Sequence, residues 1–194
     1  MKQYLIAISL VMTLSSCKLL GTLYPISENN KNFIFKKELK GKWNYKKDSS
    51  SFSIDTVPRT EGKLYLVNSI EFNDEKKEND TTRFLSHLIN ISGVYFFDCW
   101  YDMDNSMNGF FIARHFIIKL SFLSPDKIEM NFPDPEKLIK LIDQKKISLK
   151  YTELKEDDYL IIDKPAILQK GLAETIKYPD LYKSKEALIL SRSK

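Results

Sequence analysis

The sequence is poor in the residues that build metal sites and disulfide frameworks. Its 194 residues include two cysteines, two histidines and six glycines. Two cysteines cannot form the disulfide framework that stabilises many small secreted domains. A zinc site needs three or four clustered ligands, and the sequence has no Cys-x-x-Cys or His-x-x-x-His pair. We therefore expect no metal, no cofactor and no internal disulfide.

The motifs of common enzyme classes are also missing. There is no Gly-x-x-x-x-Gly-Lys phosphate loop and no Gly-x-Ser-x-Gly nucleophile elbow. Cys99 lies in the apolar stretch 94–101, which favours a buried thiol over a reactive one. His87 and His115 fall inside predicted strands, where a structural imidazole is expected. The sequence therefore predicts a protein that is not an enzyme.

One loop carries oxygen-bearing side chains at alternate positions, as a calcium-binding loop does. It begins at Asp102 and ends at Gly109. However, its sixth position is Met107 instead of glycine, and its twelfth is Ala113 instead of a bidentate glutamate. The segment is more typical of a polar hairpin loop between two apolar strands.

The charge balance excludes a nucleic-acid partner. The chain has 30 basic and 26 acidic side chains, and its lysine pairs, such as 36–37 and 145–146, are short. Binding to a nucleic acid requires a clustered basic face. These lysines are expected to be solvated, or to contact anionic lipid headgroups.

The N-terminus has the organisation of an export signal. Lys2 precedes an apolar run, Leu5–Leu14, that is too short to span a bilayer of about 30 Å as a helix. The run ends in Leu14-Ser15-Ser16-Cys17, which resembles the lipobox of bacterial lipoproteins. The resemblance implies a signal peptide over 1–16 and a lipid on Cys17. The alternative is an ordinary secretory signal with a chance cysteine.

The residues after Cys17 bear on where the protein is held. In enteric bacteria, an aspartate after the lipidated cysteine retains lipoproteins in the inner membrane. In other lipoproteins, an acidic cluster at the same place accompanies export to the cell surface. Neither feature follows Cys17. The resemblance therefore implies a lipid-anchored outer-membrane protein that faces the periplasm and contacts the membrane through its acyl chains. Residues 17–32 have no sustained period, and we expect a lipidated cysteine and a tether there.

The remaining chain reads as mainly β with two or three short helices. Period-two alternation typical of an antiparallel meander covers 51–57, 63–72, 83–91, 94–101, 110–122 and 127–132. Asp134-Pro135 predicts the start of one helix, and Pro165 the start of a second. Two short strands are expected between the helices, over 147–153 and 159–162.

Two resemblances bear on the architecture. Gly41-Lys42-Trp43 resembles the Gly-x-Trp signature of lipocalin barrels, which implies a tryptophan that closes one barrel end. The chain from Leu64 to Tyr182 has an aromatic strand around Gly93–Asp98, a long strand with His115 before an apolar run to Leu120, a short amphipathic helix, two strands and a final helix. This pattern resembles an uncharacterised group of Bacteroidota-type lipoproteins with no assigned activity. Because helices interrupt the strands, we expect an incomplete lipocalin-like barrel over 33–183, followed by a C-terminal tail over 184–194.

An aromatic cluster flanks the 102–109 loop. Phe96, Asp98 and Trp100 share one face of their strand, and Phe110 and Arg114 share one face of the next. If the faces line one concavity, they form an apolar site with two charged groups, as small-molecule sites have. The alternative is an Asp98–Arg114 ion pair with the aromatics in the core.

Two functions follow from these features. The first is a membrane-anchored envelope lipoprotein that binds an apolar small molecule or lipid in a β-cup. The alternative is a protein-interaction or assembly module of the envelope, without ligand or catalysis.

The lipobox generates the first testable prediction. We expect Cys17→Ala to abolish palmitate labelling and to leave the chain soluble or uncleaved, because the acylated thiol is gone. Metabolic labelling and cell fractionation measure this. A cleaved variant that stays in the membrane fraction would contradict the lipoprotein interpretation.

Overall fold

The computed structural model describes residues 19–29, 32–45, 50–58, 63–73, 76–102, 114–155, 157–183 and 187–193. Within these residues the strands are β1 (Leu19–Thr22), β2 (Gly41–Tyr45), β3 (Ser51–Thr56), β4 (Leu64–Asn73), β5 (Glu78–Ile91), β6 (Val94–Tyr101), β7 (Phe116–Ser124), β8 (Lys127–Asn131), β9 (Tyr151–Lys155), β10 (Asp158–Ile161) and β11 (Leu188–Arg192). The helices are α1 (Pro135–Asp143) and α2 (Pro165–Thr175).

Eight of these strands form a closed antiparallel barrel. Strands β2 to β8 follow one another around it in chain order, and β11 lies between β8 and β2. The predicted β meander is confirmed, but the expectation of an incomplete barrel is wrong. A closed barrel leaves no unpaired strand edge in its own sheet.

The strand that closes the barrel comes from the expected C-terminal tail. Strand β11 pairs with β8 through Leu188–Ser191 and with β2 through Leu190–Arg192. Leu190 is fully buried inside the barrel. The run Ala187–Leu190 is too short to show a period of its own, so its role depends on partners distant in the sequence. Residues 188–192 therefore belong to the domain, which corrects the expected tail.

Side chains alternate between the inside and the outside of the barrel, as the pleat requires. The inward side chains form one apolar cluster, to which every barrel strand contributes. Its buried members are Leu39, Trp43, Phe52, Ile54, Tyr65, Val67, Leu88, Phe97, Cys99, Ile118, Leu120, Ile128, Met130 and Leu190.

One barrel end is closed by Trp43, which is fully buried. Its indole Nε1 donates to the carbonyl of Leu39 at 2.9 Å, and the Arg192 guanidinium lies 4.4 Å from its ring centroid. Arg192 Nη1 also donates to the Lys40 carbonyl at 2.8 Å. A Cβ on Gly41 would lie 2.7 Å from Arg192 Nη1, and Gly41 has a φ of +135°. Glycine at this position therefore permits the close approach of Arg192.

A second layer covers the outside of β5, β6 and β7. It contains both helices and a three-stranded sheet in the order β1-β10-β9. The predicted starts of the helices are confirmed at Pro135 and Pro165, and the Asp134 side chain accepts from the Lys137 amide at 3.1 Å. Neither described helix is long and apolar enough to cross a membrane.

The segment expected to be a tether is part of the domain where the structure describes it. Strand β1 pairs in parallel with β10, and Thr22 exchanges backbone hydrogen bonds with His115 at 2.9 and 3.0 Å. Ile26 is fully buried, and Phe33 is also buried. Packing against the barrel has ordered a segment whose sequence shows no periodicity. Residues 1–18, which include the predicted signal peptide and Cys17, lie outside the described residues.

The closure by β11 generates a stability prediction. Leu190→Ala should lower the free energy of unfolding by about 2–5 kcal/mol, because it leaves a cavity in the barrel core. Ile189→Ala is the matched control, since Ile189 faces the outside of the same strand and is partly exposed. Urea denaturation measures both. Equal losses would contradict the inward position of Leu190.

Candidate functional site

Asp98 is a fully buried carboxylate on the outer face of β6. Its Oδ2 accepts a hydrogen bond from the Ile26 amide at 2.7 Å, and its Oδ1 lies 2.7 Å from His115 Nδ1. A buried carboxylate is stabilised only when hydrogen bonds replace its hydration. Asp98 therefore holds two segments against the barrel: the chain after β1, and the residue before β7.

An aromatic cluster extends from this carboxylate. The Trp100 ring centroid lies 5.3 Å from the centroids of both His87 and His115. The Phe33 ring stacks on His87 at 3.6 Å, and His87 Nδ1 lies 2.9 Å from the Lys63 carbonyl oxygen. Burial lowers the pKa of His87 from its ordinary value.

Arg114 pairs with Asp158 and not with Asp98. Its Nη2 donates to Asp158 Oδ2 at 3.0 Å, and its Nη1 bonds the other carboxylate oxygen. Asp158 is buried at the start of β10. This bidentate pair ties the small sheet to the chain before β7. The expected Asp98–Arg114 pair is therefore wrong.

The predicted ligand-binding residues do not line one concavity. Phe96 and Asp98 are fully buried under the outer layer, and Trp100 lies on the same outer face. Phe116, which falls on the same face as Arg114 in the predicted alternation over 110–122, lies inside the barrel instead. Register explains this difference, because Asp98 pairs with Ile117 and Cys99 pairs with Phe116. Phe110 lies outside the described residues.

The cavity between the barrel and the two helices is too small for a ligand. Its volume is about 20 Å³, and it is lined mainly by apolar side chains such as Leu138, Leu168 and Leu172. This volume accommodates about one water molecule. The outer face of β6 is thus a packed and hydrogen-bonded junction.

A second candidate region lies inside the barrel, at the end opposite Trp43. Since barrel strands alternate in direction, β6 ends with Tyr101 at the end away from the start of β2. Tyr101 lies 4.9 Å from Phe84 and 5.7 Å from Phe116, between ring centroids. Tyr101 is 37% exposed, and both phenylalanines are half-buried. An aromatic wall with partial solvent access therefore faces the barrel interior at this end.

Ser69 adds an unsatisfied polar group to the interior. It lies on β4 between Phe52 on β3 and Thr82 on β5, and it shares the inward face with Val67. Ser69 is 3% exposed, and its buried Oγ has no hydrogen-bond partner among the described residues. A buried hydroxyl without a partner is unfavourable. Sequence reasoning missed Ser69, because a serine in an alternating strand reads as solvent-facing.

The described residues contain neither a reactive thiol nor a cluster of metal ligands. Cys99 is buried in the barrel, donates to Ser86 Oγ at 3.2 Å, and burial raises its pKa to about 12. The expectation of a buried thiol is confirmed. Among the described residues, no three His, Cys, Asp or Glu side chains could hold a metal ion. Of the 102–109 loop, only Asp102 is described, and it pairs with Arg83 at 2.8 Å.

Comparison with known proteins gives no relative: no family model matches the chain, and no significant match was found among curated proteins or solved structures.

The Asp98 junction generates a stability prediction. Asp98→Ala should lower the free energy of unfolding by about 3 kcal/mol or more, because two buried donors lose their acceptor. Asp55→Ala is the control, since its bond to Lys40 at 2.9 Å joins two exposed side chains and should contribute less than about 1 kcal/mol. Thermal and urea denaturation measure both. Similar losses would contradict a structural role for Asp98.

A pH dependence follows from the lowered pKa of His87. The unfolded chain binds a proton at His87 more readily than the folded protein, so stability falls as pH decreases. Between about pH 7.5 and about pH 5.5, a window that spans the ordinary histidine pKa of about 6.5, the unchanged protein should lose more free energy of unfolding than His87→Gln. Urea denaturation across this range measures the difference. The same pH dependence in both proteins would contradict it.

Proposed function

We propose that this protein is a lipid-anchored envelope lipoprotein whose barrel binds a small apolar ligand that carries one hydrogen-bonding group. The single observation that carries the proposal is the Ser69 hydroxyl, buried inside the barrel with no hydrogen-bond partner in the part of the chain that the structure describes. A ligand hydroxyl, carbonyl or carboxyl group that enters from the Tyr101 end would supply that partner.

The make-up of the interior supports a shallow site. At the Trp43 end, Trp43, Tyr65 and Phe97 are fully buried and fill the lumen. At the other end, Tyr101 and the half-buried Phe84 present aromatic surface. Small-molecule sites combine mostly apolar walls with a few fixed polar groups. The ligand is accordingly expected to occupy a cup at one end, not a channel through the barrel.

The anchoring part of the proposal rests on the lipobox and on the position of β1. Strand β1 begins at Leu19, two residues after Cys17. Acyl chains on Cys17 would therefore hold the domain close to the bilayer surface, within reach of membrane-derived apolar ligands. An outer-membrane position facing the periplasm is the location that fits the residues after Cys17.

A binding experiment tests the cup. Full-length protein is titrated with a fluorescent fatty acid, and lipids that co-purify with it are identified by mass spectrometry. We expect saturable binding that is at least tenfold weaker in Tyr101→Ala, because each lost aromatic contact removes about 1.4 kcal/mol or more of apolar burial. Ser69→Ala should weaken the binding and leave the thermal stability unchanged or higher, since it removes an unsatisfied hydroxyl.

Trp100→Ala is the matched control, because Trp100 precedes Tyr101 on β6 but faces the outer layer. It should lower the thermal stability and leave the fatty-acid affinity unchanged. Equal affinity loss in the Trp100 and Tyr101 variants would contradict a site inside the barrel. If no ligand co-purifies and no fatty acid binds, the ligand-binding proposal fails, and the protein-interaction module of the envelope is the alternative to test next.

A further inference from the structure

Three exposed aliphatic side chains lie at one corner of the second layer. Leu23 follows β1, Ile162 follows β10, and Ile167 lies in the first turn of α2. Their exposed fractions are 39%, 39% and 48%. We call these three residues the aliphatic corner.

Backbone pairing brings two members of the corner together, and the third, Ile167, follows Ile162 by five residues in the chain. The Leu23 amide donates to the Ile161 carbonyl at 2.8 Å, which places Leu23 beside Ile162. Gln169 on α2 donates to the Ile26 carbonyl at 2.9 Å, so α2 lies against the segment that follows Leu23. Exposed apolar side chains grouped in this way commonly mark an interaction surface.

Positive charge surrounds the corner. The Ile162 amide donates to the carbonyl of Lys150, and Lys164 immediately precedes α2. Both lysines are exposed, and neither forms a salt bridge with another described residue. The first turn of α2 has no acidic side chain, and the nearby Asp163 carboxylate is buried and accepts from the Lys150 amide. The net local charge is therefore positive.

The corner is also close to the predicted anchor. Leu23 directly follows β1, whose first residue is two positions after Cys17. Two extended residues reach at most about 7 Å, and a four-residue strand adds about 13 Å. A lipid on Cys17 would therefore hold the corner within about 20 Å of the bilayer.

From the aliphatic side chains, the unpaired lysines and this short reach, we propose that the aliphatic corner docks on the anionic surface of the membrane and fixes the orientation of the domain. Aliphatic side chains enter the headgroup boundary, and lysines bind lipid phosphates. The inference rests on the anchoring part of the proposed function and is independent of any ligand in the barrel.

Site-directed fluorescence tests the orientation. Full-length acylated protein carrying Ile167→Cys is labelled with an environment-sensitive nitrobenzoxadiazole probe and placed in vesicles of phosphatidylethanolamine and phosphatidylglycerol. Buried Cys99 should not compete for the label. We expect a blue-shifted emission that brominated lipids quench several-fold more than the same probe in Phe72→Cys. Phe72 is equally exposed, at 48%, but lies on barrel strand β4.

A charge reversal tests the lysines. In the Ile167→Cys background, Lys164→Glu should reduce the lipid quenching, because the headgroups then repel the corner. Lys42→Glu, an exposed lysine on β2, is the matched control and should leave the quenching unchanged. If Lys164→Glu and Lys42→Glu reduce the lipid quenching equally, the local role of Lys164 is overturned.

The remaining outcomes separate this inference from the proposed function. A protein that carries palmitate but has a fully aqueous probe at position 167 overturns the docking inference alone. Absence of palmitate on Cys17 overturns the anchoring part of the proposed function as well. A probe at position 167 that is already shielded in unacylated Cys17→Ala protein, without lipid or detergent, means that a second copy or another protein covers the corner, which also overturns the lipid inference.

Discussion

The pairing of β11 with β2 is the constraint on which the rest of the structure depends. It closes the ring of hydrogen bonds through Leu190 and Arg192, and so gives every barrel strand one inner and one outer face. Arg192 then lies on Trp43 and bonds the Lys40 carbonyl, which closes one end of the barrel. Without β11, strands β2 and β8 would each expose a free edge and the inner apolar face would be open to water.

Closure also determines which side chains can act together. On β6, Asp98 and Trp100 face the outer layer, whereas Cys99 and Tyr101 face the interior. The two sets lie on opposite faces of the sheet. A shift of one residue in the strand register would therefore move a side chain from the structural junction outside to the aromatic wall inside. Asp98 satisfies donors from the N-terminal segment and from His115. The outer face of β6 therefore holds the second layer in place.

Local patterns in the sequence predicted much of the fold, because they depend on neighbours in the chain. Alternation located most barrel strands, and the Asp134-Pro135 signal located α1. The errors arose where distant contacts decide the structure. Strand β11 needs β2 and β8 as partners, and the strand expected over 147–153 begins only at Tyr151, because Ile147 and Leu149 pack against the outer core. The candidate site shifted for the same reason: register across β6 and β7 cannot be read from either strand alone.

The same three barrel strands carry the second layer outside and the aromatic wall inside. Strands β5, β6 and β7 contribute Phe84, Tyr101 and Phe116 to the interior. On their outer side, β1 is bonded at His115 and the segment after β1 is bonded at Asp98. His115 and Phe116 are consecutive residues. A membrane anchor that pulls on β1 would therefore act on His115 through its two hydrogen bonds with Thr22. The backbone at His115 positions Phe116 in the aromatic wall. The proposed anchor and the proposed cup share the Thr22–His115 pairing, so an orientation imposed at the anchor would set the direction from which the proposed ligand reaches Tyr101.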